Sequence, residues 1–296
     1  MLGKEYFCVS VSKYISDKQF NVFRPASLDN PKDNAVMFIT EKNIDSADVF
    51  NTVFNCLVFW PITIHVPAAM KLNHAVYECQ EPRLQFCKFF ADNQIKHNPP
   101  NDEYEQVNGS FIAKSAKFGA NVQLFPGVYI GGEVEIGNNV YIGSGTKIVG
   151  KVTIGDDVVI RENSVLGADG LSTDRDENGH AVTLPQFGGI IIEDNVQIGA
   201  LSVIARGAID DTIICRGSKI DNSSFISHNV QIGEDTFIVG ESIMFGSSST
   251  GVRVLISGNS TIRNGIRIGN EAVVGMGSVV VKPVPDNSVV KGNPAK

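Results

Sequence analysis

An aliphatic or aromatic residue returns at every sixth position from Ile112 to Leu166, through Phe118, Leu124, Ile130, Ile136, Ile142, Ile148, Ile154 and Ile160. Four residues after each of the first nine stands a small or β-branched residue, from Ala116 and Val122 to Val158 and Ser164. A period of six fits neither the 3.6 of an amphipathic helix nor the 2 of a half-buried strand. It marks a parallel β-helix, whose short strands are joined by tight turns around a triangular core. The register breaks after Leu166 and resumes at Ile192, Ile198 and Ile204. It slips by four residues at Asp210 and Asp211, then runs on from Ile214 to Val280. Ten, three and twelve hexads result, and Thr250 is the one polar key. A chain that is 43% hydrophobic would fill about 11 of these keys by chance, so the repeat is real and dictates the fold. Three hexads make one coil, and roughly eight coils at ~4.8 Å each predict a prism on the order of 40 Å tall.

Residues 1–105 lack the hexad and predict a small α/β domain. Short β-rich runs occur at Tyr6 to Val11, Ala35 to Ile39, Cys56 to Trp60 and Ala75 to Tyr77, punctuated by Pro25, Pro31, Pro61 and Pro67. A helix is expected from Pro82, which suits a first-turn position, with Leu84, Cys87, Phe90 and Ala91 at helical spacing. Lys96 to Glu105 has the proline-rich polar composition of a linker. The domains expected are therefore 1–105 and 106–296, the second carrying an inserted loop at 167–189. That insertion is either a solvated excursion, which a solenoid tolerates, or a substrate-contacting loop on a rigid scaffold. The second reading is favoured.

The net charge of −7 is scattered along the sequence and no basic run offsets it, which argues against nucleic acid or an anionic membrane surface as the main partner. The N-terminal residues lack a charged-then-apolar signal pattern, and no run of about 18 apolar residues occurs, so a cytoplasmic protein without membrane insertion is expected. Cys8, Cys56, Cys79, Cys87 and Cys215 show no CxxC spacing and read as reduced thiols.

Within the prism, histidine occurs only at His180, in the insertion, and at His228. His228 stands two residues past its key, at an outer corner, and Gly246 occupies the same hexad position one coil later. That stacking puts a glycine amide beside an imidazole, the pairing of a general base with an oxyanion donor. On spacing alone, a lone surface histidine without chemistry is the commoner reading.

The run Ile220 to Glu234 (IDNSSFISHNVQIGE), with Ala208 to Thr212 and Leu184 to Gly189 before it, resembles the hexapeptide-repeat N-acyltransferases, in particular the UDP-3-O-acylglucosamine N-acyltransferases of lipid A synthesis. The strand before Phe38 and the start Glu81-Pro82-Arg83-Leu84 resemble the nucleotide-binding domain of those enzymes. The resemblance implies a left-handed β-helix, hence a mainly β fold with a small N-terminal α/β domain. It also implies a homotrimer with active sites between neighbouring prisms, His228 as general base and Gly246 as oxyanion-hole amide. Gln186 and Asp210, in the resembling segments, are expected to bind substrate.

Three departures point to a particular member of that superfamily. The uracil-holding Asn-Pro-Lys-Tyr motif is replaced by Thr40-Glu41-Lys42-Asn43, which lacks the stacking aromatic. A second histidine of the lipid A enzymes is matched here by Gly265. The carrier-protein helix is replaced by Gly292-Asn293-Pro294-Ala295-Lys296, an ending similar to that of hexapeptide acetyltransferases that use coenzyme A. The expectation is transfer of a short acyl group from acyl-CoA, without a metal, to the amine of a dTDP-linked amino-deoxy sugar for surface polysaccharide synthesis. An imidazole can take the amine proton while the Gly246 amide stabilises the oxyanion, worth about 3 kcal/mol. Asn222 and Asn229 either orient the imidazole or sugar hydroxyls or simply form turns. Arg263, Arg267, Lys282 and Lys291 either meet CoA phosphates or are solvated charges.

Four other readings compete. Lipid A N-acylation from acyl carrier protein keeps the chemistry and changes both substrates. A non-catalytic binding solenoid explains the repeat but not the His228–Gly246 stacking. A γ-class carbonic anhydrase needs three zinc-binding histidines. A nucleotidyltransferase needs a glycine-rich phosphate loop that residues 1–105 lack.

Overall fold

Each hexad folds as a strand of two to four residues and a turn, because its aliphatic key must point inward while the third residue past the key turns the chain. That third residue has left-handed φ at Asn139 (55°), Asp157 (57°), Asn195 (59°) and Asn229 (58°). Asn and Asp tolerate this conformation better than other non-glycine residues. The computed structural model describes residues 4–96 and 102–296. Two compact units emerge, one comprising Met1–Asn98 with Leu171–Phe187, the other Pro99–Gly170 with Gly188–Lys296.

The second unit is a left-handed parallel β-helix built from three sheets. The first face carries Val165–Ala168, Val203–Ala205, Phe225–Ile226, Ile243–Met244, Thr261–Ile262 and Val279–Val280 in spatial order. The second face carries Ile190–Ile192, Thr212–Ile214, Gln231–Ile232, Ser249–Thr250 and Arg267–Ile268. The third carries Val159–Ile160, Gln197–Ile198, Lys219–Ile220, Phe237–Ile238 and Leu255–Ile256. Keys pair with keys one coil apart, as in Ile226↔Met244, Met244↔Ile262 and Ile262↔Val280. The keys from Ile130 onward form one buried cluster, whereas Phe118, in the first coil, is 40% exposed.

Most of the polar residues admitted to the interior are satisfied, the Ser224 hydroxyl being an exception. Thr250 accepts the Gly233 N–H at 2.9 Å. Thr146, Ser164 and Ser218, fully buried four residues past their keys, donate to the carbonyls of Arg161, Gly199 and Gly233 at 2.9 Å each. A buried hydroxyl without such a partner would cost about 1–3 kcal/mol. These bonds let serine and threonine stand where the repeat otherwise places valine. Tyr104–Val107 pairs antiparallel with Ser110–Ala113, so the segment 96–105 ends in a strand that blunts the first edge of the prism. The rest of that expected linker, 97–101, lies outside the described residues, as do positions 1–3.

The first unit contains a four-stranded parallel sheet, Arg24–Pro25, Ala35–Phe38, Leu57–Pro61 and Ala75–Cys79 in that order. The helix Pro82–Asp92 begins with its proline in the first turn and buries Leu84, Phe86, Cys87, Phe89 and Phe90. A short helix, Ala68–Asn73, and the 3-10 stretch Glu41–Thr52 complete it. Thr40 and Asn43 cap that stretch. The Asn43 Oδ1 accepts both the Thr40 N–H and the Thr40 hydroxyl at 2.7 Å.

The insertion differs from the loop expected on the prism. Thr173–Arg175 and Ala181–Thr183 form a hairpin that belongs to the first unit. Asp174 pairs with Arg83 at 2.5 Å and Glu177 with Lys88 at 2.5 Å, both cations standing on the helix Pro82–Asp92. Phe187 packs edge-on to Tyr6 with ring centres 5.1 Å apart. The hexad is blind to this, because the segment carries its own apolar and charged anchors. The first unit's described residues run to 96 and take in 171–187, and those of the second resume at 102.

Candidate active site

Both irregularities of the repeat fall at one corner, the turn from the first face to the second. The insertion leaves the prism after Val165–Ala168 and rejoins it at Ile190–Ile192. One coil on, the four-residue slip widens the same turn, so that Ile192 pairs with Ile214. One coil further, at the same corner, stands His228. The structure thus builds its widest turns directly below the prism's candidate base.

The slip supplies the backbone that orients the site. Asn229 Nδ2 donates to the Asp210 carbonyl at 2.8 Å, and Asn229 Oδ1 accepts the Ala208 N–H at 3.0 Å. Those partners fix which way the amide faces, since a carbonyl can only accept and an N–H only donate. The same Oδ1 lies 3.1 Å from His228 Nδ1. An acceptor there requires Nδ1 to carry the proton, which leaves Nε2 with its lone pair in the neutral ring. Asn229 itself is held by its own N–H, which donates to Thr212 Oγ1 at 2.9 Å.

Gly246 lies against that ring. A Cβ at position 246 would stand 2.5 Å from His228 Cε1 and 2.7 Å from Nε2, so only glycine leaves room for the imidazole. The turns are tied together, with Ser247 N–H donating to the His228 carbonyl at 2.9 Å and Gly265 N–H to the Gly246 carbonyl at 3.0 Å. Among the described residues, the Gly246 N–H itself donates to no protein acceptor.

Of the other expected residues, the corner gathers some and not others. Lys282 repeats the hexad position of His228 three coils along, and Arg263 follows the key Ile262 two coils along. Both are exposed. Asp210 takes part through its carbonyl. Asn222 and Lys291 lie at the turn from the third face to the first, a different corner, because each follows a third-face strand, Lys219–Ile220 and Val289–Val290. Asn222 donates nothing to the imidazole; its Oδ1 accepts the Ala200 N–H at 2.7 Å, and it lines a groove of about 410 Å³ with Arg161, Lys219 and Phe237. Arg267 stands on the flat second face. Gln186 belongs to the first unit, where its Nε2 donates to the Leu184 carbonyl at 2.9 Å. Gly170 and Ala208, both at the His228 corner, were not singled out by the sequence. The breaks in register at 167 and 210 were the signal that could have found them.

The second unit is a hexad-built left-handed β-helix, and comparison with known proteins gives the same fold. The family profile described as bacterial transferase hexapeptide (six repeats) matches residues 115–150 and 134–168. The match shows hexapeptide repeats over residues 115–168. It is 40% identical over 129 residues to UDP-3-O-acylglucosamine N-acyltransferase of Coxiella burnetii, covering 42% of this chain and 38% of that one. It is 51% identical over 79 residues to the Francisella tularensis subsp. holarctica protein of the same name, covering 27% of this chain and 23% of that one. The matches thus span well under two-thirds of these curated relatives. The fold resembles that of UDP-N-acetylglucosamine acyltransferase from Campylobacter jejuni, with a TM-score of 0.58, 20% identity and coverage of 65% of this chain and 73% of that one. The Arabidopsis enzyme of the same name gives a TM-score of 0.52 at 22% identity over 65% of this chain and 73% of that one. Among the described residues, no helix is long and apolar enough to cross a membrane.

Proposed function

We propose that the chain is an N-acyltransferase that moves a short acyl group from acyl-CoA to the amine of a nucleotide-linked amino-deoxy sugar. The observation that carries this reading is the oriented His228: Nδ1 is committed to Asn229 Oδ1 at 3.1 Å, and Nε2 lies in the slot that only a glycine at 246 allows. The sugar amine attacks the thioester carbonyl carbon, and Nε2 takes the proton the nitrogen loses. The Gly246 amide receives the oxyanion. When the tetrahedral adduct collapses, the C–S bond breaks and the thiolate takes the proton from the imidazolium, giving an amide and free CoA thiol.

Arg263 and Lys282 support a CoA donor. They stand on the His228 corner two and three coils along, on the order of 10 and 14 Å from the base at ~4.8 Å per coil. Cations placed so along one edge suit the phosphates of an extended acyl-CoA. For the acceptor, the Asn43 amide is engaged in capping Thr40, where the lipid A enzymes are expected to place an aromatic on uracil. This supports a dTDP-linked sugar. The names of the relatives favour a second reading, UDP-3-O-acylglucosamine N-acylation from acyl carrier protein. Steady-state kinetics with dTDP- and UDP-linked amino sugars, each against short acyl-CoAs and long-chain acyl carrier protein thioesters, separate the two. Turnover with a dTDP-amino sugar and acetyl-CoA is expected. Turnover confined to the carrier protein with a UDP-glucosamine acceptor would overturn the first reading and support the second.

A further inference from the structure

His228 is covered on two sides by glycine, and only one of those glycines is at the repeat position that stacks on it. Gly246 faces the far end of the ring, its absent Cβ being replaced by Cε1, Nε2 and Nδ1. Gly170 faces the near end. A Cβ there would lie 2.8 Å from His228 Cβ, 2.9 Å from Cδ2 and 3.1 Å from Cγ. Real Cβ atoms do not approach so closely, and the atoms in the way are the root of a side chain, which cannot swing aside as a flexible tip would. Nothing else demands glycine at 170. Its φ is outside the left-handed range that an L side chain resists, unlike that of Gly167 at 90°.

We propose that Gly170 is a positioning residue for His228, one wall of a slot whose other wall is Gly246, and that the slot holds the imidazole with Nδ1 on Asn229 and Nε2 toward the reacting amine. A side chain has about three staggered choices at χ1. Contact at both ends of the ring leaves one, and the hydrogen bond to Asn229 selects which nitrogen is exposed. A methyl at 170 cannot be relieved by moving the ring toward Gly246, because that space is already filled. The ring must leave its rotamer or the chain at 169–171 must shift, and either breaks the alignment. This inference rests on the acyltransferase reading for its catalytic consequence, though not for the slot itself.

The test is Gly170→Ala alone and combined with His228→Gly. With Gly170→Ala, kcat is expected to fall at least tenfold with KM for both substrates within twofold. In the His228→Gly background the same substitution should cost no further activity, because the opposing atoms are gone. A readout independent of turnover is the rate at which diethyl pyrocarbonate modifies His228, followed by mass spectrometry of its peptide, which should change severalfold in Gly170→Ala. If the wild type turns over no acyl donor, the functional reading fails while this rate still reports on the slot. Should Gly170→Ala not fold, His228→Gly, which removes the opposing atoms, is expected to restore folding. Equal losses of activity in both backgrounds, an unchanged modification rate, or no restoration by His228→Gly would each overturn the proposal.

Discussion

Asn229 serves two purposes with one side chain. Its left-handed φ of 58° closes the turn, a role shared by Asn139, Asp157 and Asn195 in other coils. Its amide, gripped by Asp210 and Ala208, sets the His228 tautomer. The Asn229→Ala variant should therefore lower kcat about tenfold with little change in KM, since the bond that orients the imidazole, worth ~1.4 kcal/mol, is lost together with the amide's bonds to Asp210 and Ala208. Stopped-flow thiol detection checks this, and a change confined to KM would assign Asn229 to substrate binding instead. A second residue-scale prediction concerns His74 in the first unit. It is 1% exposed, its Nδ1 accepts the Cys56 N–H at 3.3 Å, and its Nε2 lies 3.0 Å from the Phe50 carbonyl. Both nitrogens are thus committed to the neutral ring. Burial lowers its pKa from 6.5. A histidine depressed in the fold stabilises above its unfolded pKa, and that stability is lost as pH falls below about 6.5, because only the unfolded chain takes up the proton. Thermal melting of the wild type should decline between pH 7 and 5.5 more steeply than that of His74→Gln. Parallel curves would contradict this.

At the scale of elements, the prism was legible in the sequence almost coil by coil, because a period of six admits one architecture and the keys had only to be counted. The candidate site was half legible. Stacking of Gly246 on His228 follows from an 18-residue coil, yet the widened corner beneath them could not be placed without knowing which face precedes each break. Asn222 was misplaced for the same reason. Six residues separate it from His228 in sequence, and in a triangular coil six residues are one corner. The insertion was read as part of the prism because it interrupts one, while its anchors, Arg83 and Lys88, lie far away in sequence. The Lys88–Glu177 contact raises the pKa of the lysine and lowers that of the carboxylate. Exposed pairs contribute little to global stability, typically below ~1 kcal/mol, but they can hold a hairpin locally. The double variant Arg83→Ala/Lys88→Ala should melt within a degree or two of the wild type yet be cut by trypsin after Arg175 several times faster. An unchanged cleavage rate would mean that the aromatic packing of Phe187 suffices.

For the whole molecule, the outward positions of two faces argue for self-association. Val165, Val203, Phe225, Ile243 and Val279 line the first face, and Val159, Phe237, Leu255, Val273 and Val289 the third, with Phe237 50% and Val289 68% exposed. The second face presents Lys117, Glu135, Thr153, Gln231, Ser249 and Arg267, with Ile191 and Ile213 among them. Two faces richer in outward apolar residues than the third, though carrying Lys147, Thr261, Gln197 and Lys219, suit a closed cyclic trimer in which each prism meets two neighbours. Light scattering at micromolar concentration should give three times 31.9 kDa. Phe237→Glu should shift that mass downward, and a monomeric wild type with full activity would refute a site shared between chains. Acyl transfer at the widened corner is the central step of the proposed function. Its most direct test is CoA release from acetyl-CoA and a dTDP-amino sugar by the wild type and His228→Ala, with folding matched by circular dichroism. A loss of ~10² or more in kcat is expected when the general base is removed. A variant that turns over at near the wild-type rate at neutral pH would place the chemistry elsewhere.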